Sequence, residues 1–497
     1  MSIERLLWEE DATGLAARVR SGEVSPVDLV DAAIARAERL APVINPIAER
    51  LYERGRDRAR SVDRAAPFAG VPFAMKDIGA VVAGVPLHSG SRIPPFHADW
   101  SSTVFERAEA AGLVTIATTT TPEWGLRLVT ETERFGLTRN PWNPGHTTGG
   151  SSGGAAAMVS AGIVPVAHAS DGGGSIRVPS ACCGLVGLKP SRGRVPLTPY
   201  VTEAWHGFVV QHAVTRSVRD CAALLDLFAG MDGLASHGQE KPATSFAAAA
   251  ATRPQRLRIA VWRDSPLGLP VDPEVGKALD TAIALARDAG HTIEEIRPPI
   301  DGRAFLADFA RVVAGCSAGE LRWLEARERR RLQGLLERPT RAIARFGELL
   351  SAGEHTAALM RLDQASIALL RATAAYDVVF MPILAHPPVP VGGMDSKGID
   401  LVLEEILDRL HLTVLLRLPA VLEKLLDQSF WFTPWTPIAN VTGQPSIALP
   451  IHVTATGLPL GIQATGRPGA EATLLALAAE MEVASGWRSR RAPLEVP

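Results

Sequence analysis

Two glycine- and serine-rich loops, Gly149-Gly-Ser-Ser-Gly-Gly154 and Asp171-Gly-Gly-Gly-Ser-Ile-Arg177, carry the first chemical signal in the chain. Three glycines ahead of a serine let successive backbone N–H groups converge on one point, because glycine samples positive φ freely and admits a ligand close to the backbone. Such a nest suits a phosphate or an oxyanion. Phosphate is disfavoured, since no glycine is followed by Lys and then Ser or Thr at P-loop spacing. Gly172 to Ser175 also runs into Ile176-Arg177-Val178 without the third glycine of a dinucleotide fingerprint. The letters G-x-S-x-G occur from Gly149 and again from Gly150, but Pro144-Gly-His-Thr-Thr148 ahead of them is no strand, so the strand-to-helix elbow of an α/β-hydrolase is missing. A serine β-lactamase pattern fails as well, for want of S-D-N and K-T-G. A serine hydroxyl is a weak nucleophile and needs a base within hydrogen-bond reach.

The elements around these loops alternate between strand and helix. Ser25-Pro26-Val27-Asp28 opens a helix, with Leu29, Val30, Ala33, Ile34, Ala37 and Leu40 at helical spacing and an end expected before Pro42. Gly70-Val-Pro-Phe-Ala-Met-Lys-Asp77 reads as a buried strand ending in a charged pair. Leu113 to Ala117 and Val164 to Ala169 read as strands, with small-residue and apolar helices over Gly154 to Gly162 and Val218 to Gly230. Leu257 to Trp262, a periodic helix through Val275, Leu279 and Ile283, and Thr292 to Ile296 form a further βαβ-like unit. Tyr376 to Leu384 returns to strand character. The alternation predicts an α/β core over 65–300, 376–394 and 433–490, with a helical insertion over 302–375 and no break between domains. The apolar segment 395–432 reads either as a core helical hairpin or as a lid over a pocket.

The loops and the Lys76 segment, with Cys183-Gly-Leu-Val-Gly-Leu-Lys-Pro190, Pro437-Ile-Ala-Asn-Val-Thr-Gly-Gln-Pro445 and Gly457-Leu-Pro-Leu-Gly-Ile-Gln463, resemble the signatures of the amidase signature family in the same order. The resemblance implies one domain over 1–497 with the amidase-signature fold, a mixed central β-sheet flanked by helices on both faces. It places the family's Ser-Ser-Lys triad on Ser175 as nucleophile, Ser151 as relay following a cis peptide bond from Gly150, and Lys76 as base. It further implies an oxyanion hole of the Gly172, Gly173, Gly174 and Ser175 N–H groups. Ser152 is expected to support Lys76 or Ser151, and Asp171 and Arg177 to brace the nucleophile loop. Lys76 can act as a base only if desolvated and neutral. His168 reads as a packed core residue, because this triad needs no histidine. Two departures stand out. Ala117-Thr-Thr-Thr-Thr-Pro-Glu123 replaces the family's common Gly-Lys-Thr-Asn segment, and Gly172 replaces a common Thr, which predicts a looser loop.

The implied reaction is hydrolysis of a small-molecule amide or carbamate by water through an acyl-enzyme, or a carbamoyl-enzyme for a urethane, without cofactor or metal. Phe430, Trp431, Phe432 and Trp435, close to the apolar segment, point to bulky apolar groups, as in aryl-acylamidases, nylon-oligomer hydrolases and urethanases. The alternative is the amidase-like subunit of a tRNA-dependent amidotransferase. Composition agrees with an enzyme of neutral small molecules. The 497 residues carry 51 Lys+Arg against 53 Asp+Glu, a net charge of −2, which gives no field to draw nucleic acid or an anionic membrane surface. Four cysteines without a C-x-x-C pair fit a reducing, cytoplasmic compartment, and the twelve histidines form no metal-ligand spacing. Met1 to Asp11 has no apolar h-region, and no apolar run is long enough to span a bilayer. Oligomeric state is not encoded legibly.

Overall fold

In the computed structural model, residues 2–395 and 419–494 are described. The strands that matter for the site are β1 Ile47–Arg50, β2 Pro72–Lys76, β3 Val114–Thr119, β4 Val166–Asp171, β5 Val186–Lys189, β6 Val210–Thr215, β7 Arg258–Val261, β8 Thr292–Glu295, β9 Val378–Pro382, β10 Ser446–Val453 and β11 Pro459–Gly466. The last eight form one sheet in the order β8-β7-β9-β11-β10-β5-β6-β4. Pairing is parallel only around β7 and antiparallel elsewhere, so the sheet is mixed. The lysine strand β2 instead belongs to a three-stranded sheet, β1-β3-β2, that lies beside the edge strand β4. The site forms where the two sheets meet.

Local sequence accounts for the elements. Helix α1, Pro26–Ile44, starts on the Ser25 side chain, which accepts from the Asp28 N–H, and buries its Leu29, Val30, Ala33, Ile34, Ala37 and Leu40 stripe. It runs past the expected stop at Pro42. Pro42 is exposed, so the carbonyl that loses its donor can be hydrated, while Ile44 one turn beyond Leu40 is buried and the left-handed Asn45 closes the helix. The short helices α2, Gly153–Ser160, and α3, Arg177–Cys183, follow the two Gly/Ser loops directly and are buried along their whole length. Small residues at Ala155, Ala156 and Ala157 allow that burial. Helices α4, Val218–Phe228, and α5, Pro273–Asp288, flank the large sheet.

Between β8 and β9 the chain forms three helices, α6 Gly302–Glu328, α7 Arg338–Leu349 and α8 Ala352–Ala372, with α7 and α8 packed on α6. The inner faces of α6 and α8 make a second apolar core around Phe305, Phe309, Val312 and Leu362, and Ala344 of α7 packs in a third with Leu321 and Leu324 of α6. Of the apolar segment expected over 395–432, residues 396–418 lie outside the described residues, and Pro419–Phe430 is helix α9, lying against α6. The short α10, Thr436–Val441, and α11, Glu471–Ser485, complete the elements used below. Among the described residues no helix is long and apolar enough to cross a membrane.

Candidate active site

Lys76 is the last residue of β2 and is completely buried. Its Nζ stands 2.7 Å from Ser151 Oγ, 3.1 Å from Ser170 Oγ and 3.4 Å from the Ser170 carbonyl oxygen. Burial lowers the ammonium to about 7, against the weaker opposing pull of the Asp171 charge. Strand β4 supplies the neighbours by its two-residue period: His168 and Ser170 share the face turned to β2. His168 Nδ1 accepts the Lys76 backbone N–H at 3.3 Å, and its Nε2 meets Gln211 Oε1 at 3.0 Å. Burial holds this imidazole at about 4, so it is neutral and can accept. Asp77 turns away from its sequence neighbour, its carboxylate accepting the His88 and Gly90 N–H groups at 2.9 and 3.4 Å. Burial raises it to about 8.

Ser151 follows Gly150 through a cis peptide bond. Ser152, next along, does not reach Lys76; its hydroxyl donates to the Ser170 carbonyl at 3.2 Å and thereby holds the residue that Lys76 contacts. Ser175 heads the turn into α3, behind a loop held by one buried carboxylate. Asp171 Oδ1 accepts the Gly174 N–H at 2.7 Å, and Oδ2 accepts the Ile176 N–H at 3.1 Å. The Arg177 guanidinium donates to both oxygens at 3.0 Å, with neither side chain exposed. Burial pushes the Asp171 carboxyl up, but Arg177, Lys189 and Asn440 outweigh it and hold the group well below the usual carboxylate range. Arg177 also donates to Asn440 Oδ1 at 2.6 Å and Gln463 Oε1 at 2.7 Å. Two C-terminal segments thus close on the loop that carries Ser175.

A family model described as Amidase matches residues 28–475. The chain belongs to the amidase signature family. It is 37% identical over 504 residues to the putative amidase AmiC of Mycobacterium tuberculosis (strain ATCC 25618 / H37Rv), covering 99% of this chain and 98% of that protein. It is 33% identical over 510 residues to the 6-aminohexanoate-cyclic-dimer hydrolase of Paenarthrobacter ureafaciens, at the same coverage of 99% and 98%. The structure of 6-aminohexanoate cyclic dimer hydrolase complexed with substrate superposes with a TM-score of 0.89 at 31% identity, over 98% of this chain and 99% of that one. A bacterial aryl acylamidase has the same fold, with a TM-score of 0.85 at 24% identity over 99% and 100% of the two chains. The protein is therefore an amidase, a hydrolase of amide C–N bonds.

Lys76, Ser151, Ser170, Gly172, Gly173 and Ser175 of this amidase all line one cavity of about 730 Å³. Gly174 does not line it, and its N–H is engaged by Asp171, which removes it from the expected oxyanion donors. Its φ of 135° is open only to glycine, and that twist turns the N–H inward. At Gly172 the Trp205 ring fills the place of a side chain: a Cβ there would stand 2.8 Å from the indole. Of the four aromatic residues expected near the substrate only Phe430 lines the cavity. Trp435 and Phe432 are fully buried, and the Trp435 indole N–H donates to the Asp264 carbonyl at 3.1 Å. In the threonine segment, Thr118 Oγ1 accepts the Glu49 N–H at 3.0 Å, tying β3 to β1, and Glu123 Oε2 accepts the Glu337 N–H at 2.8 Å, tying the following turn to the start of α7. Ser170, Asn440 and Gln463 were not singled out in sequence. Asn440 and Gln463 stand inside the C-terminal segments that match the family, and Ser170 could have been found by strand alternation from His168.

Proposed function

We propose that the amidase cleaves amides, and carbamates of the same carbonyl chemistry, that carry bulky apolar groups, through a covalent intermediate on Ser175. The observation that carries this reading is the buried Lys76 Nζ at 2.7 Å from Ser151 Oγ, on the same apolar-walled cavity as Ser175. As an ammonium, Lys76 can give its three protons to Ser151 Oγ, Ser170 Oγ and the Ser170 carbonyl. As a neutral amine it keeps two for Ser170 and turns its lone pair to the Ser151 hydroxyl. Ser170 thus aims the base.

In the proposed cycle the Ser151 proton moves to Lys76 and the Ser175 proton to Ser151 while Ser175 Oγ bonds the carbonyl carbon. The developing oxyanion is held by the N–H groups of Gly172, Gly173 and Ser175, each such donor contributing roughly 3 kcal/mol in comparable sites. Return of the proton through Ser151 releases the amine as an amide's C–N bond breaks, or the alcohol as a carbamate's C–O bond breaks to leave the carbamoyl-enzyme. Water, deprotonated by the same relay, then attacks the ester and frees Ser175. Kinship with a 6-aminohexanoate-cyclic-dimer hydrolase adds that cyclic amide to the substrates worth assaying.

A fluorophosphonate probe is expected to label Ser175, and Ser175→Ala to abolish both labelling and turnover without a change in thermal unfolding. Wild-type turnover by Ser175→Ala would end the reading. A panel of an acyl-anilide, a nylon-type oligomer, an aryl carbamate and a short primary amide tests the substrate class; activity confined to the short amide would refute the bulky-group assignment.

A further inference from the structure

Away from Lys76 and the two serines, three side chains from separate elements converge beside the cavity, which only Cys316 of the three lines. They are His206 in the loop before β6, Cys316 on α6 and His355 on α8, and their ligand atoms all lie within 4.8 Å of one another. Nothing in the sequence marks them, because they share no short spacing. His206 Nε2 and His355 Nε2 are 3.0 Å apart. Cys316 is half-buried and lines the cavity, whereas Cys182, Cys183 and Cys221 are buried.

The surroundings fit this convergence. Trp205 and His206 have φ of 50° and 54°, two successive non-glycine residues in the left-handed region, and such strain persists where the surroundings impose it. Gly315, the residue before Cys316, leaves room for the His355 ring: a Cβ there would stand 2.4 Å from His355 Nδ1. Two imidazoles and a thiolate are the ligand set of borderline divalent transition ions. Tetrahedral ligation with Zn–N of about 2.0 Å and Zn–S of about 2.3 Å separates ligand atoms by roughly 3.3 to 3.5 Å, so small side-chain rotations reach that geometry from the present positions.

We propose that His206, Cys316 and His355 form a binding site for one borderline divalent transition ion, Zn²⁺ by ligand chemistry, with a water molecule in the fourth position. An ion there ties the loop carrying Trp205 to both α6 and α8. Because the Trp205 ring covers Gly172, the tie reaches the nucleophile loop.

The full chain, stripped with a chelator, is titrated with Zn²⁺ and with Co²⁺. Expected are one equivalent bound per chain and a thiolate-to-cobalt charge-transfer band in the near ultraviolet that Cys316→Ser removes. His206→Ala and His355→Ala should each weaken Zn²⁺ binding by at least roughly ten-fold. Zn²⁺ should also protect Cys316 of the wild-type chain from a thiol reagent, a readout that needs no variant. Two results would overturn the proposal: no Zn²⁺ uptake with unprotected Cys316, which leaves a plain imidazole-to-imidazole hydrogen bond, or equal uptake by wild type and all three variants, which places the ion elsewhere.

Discussion

Lys76 contains the chemical tension of the site in one side chain. An ammonium with no access to water is costly, and burial brings its pKa from 10.5 to about 7. In the proposed relay the neutral amine is the working form, so kcat/KM should rise as pH passes through about 7 and level off above it. For stability the sign follows from the same shift. The unfolded chain holds the proton up to about 10.5 and the folded chain only to about 7, so the folded state is penalised in full below pH 7, and the penalty fades as pH rises to 10.5. Lys76→Met removes the titrating group and keeps most of the volume. Its melting temperature, compared with wild type at pH 6, 8 and 10, should show the largest gain at pH 6 and a shrinking gain at higher pH. A gain independent of pH would mean that Lys76 is charged throughout, and it could not then serve as the base. The lysine itself was legible in sequence, since a charged residue ending an apolar strand is conspicuous. Its partner Ser170 was less so, because a serine before Asp171 reads as part of the loop.

At the level of elements, the nucleophile loop is set by what surrounds it more than by its own letters. Gly172 to Gly174 announce a nest, yet the Gly174 N–H is taken by Asp171, and Asp171 is held by Arg177 and Asn440, with Gln463 in turn accepting from Arg177. The short motifs were readable because each is a run of special residue types. The departure at Gly172 was visible too, but what fills its space was not, because that group is Trp205 from a separate loop. Restoring the bulkier residue tests this. In Gly172→Thr the new Cβ meets Trp205 carbons at 2.8 and 3.0 Å and Val209 Cγ2 at 3.1 Å. Overpacking of this kind costs about 1 to 3 kcal/mol. The double variant Gly172→Thr/Trp205→Ala should recover part of that, with a coupling of at least about 0.5 kcal/mol in urea unfolding. Strict additivity would show that indole and loop are energetically independent.

Across the whole molecule, the proposed Lys-Ser relay lies where the three-stranded and eight-stranded sheets meet, while the cavity in front of it is walled by core loops, the inserted helices and α9 together. Trp124, Trp205, Phe309, Phe346 and Phe430 come from five distant stretches of chain. That explains why the family's motifs were legible in sequence and the cavity wall was not: motifs sit on contiguous residues, whereas a wall is a property of packing. It also separates catalysis from selection, since a change on α6 can reshape the cavity without touching Lys76, Ser151 or Ser175. Ala310 is the position to use, because it lines the cavity on α6 and is only partly buried, so a larger side chain can extend into open space. Ala310→Phe should lower kcat/KM for an acyl-anilide by at least roughly ten-fold, while a short primary amide, which needs less of the cavity, loses less. The same proportional loss on both substrates would mean that the variant disturbs the serines rather than the wall, and that the cavity does not select for bulk.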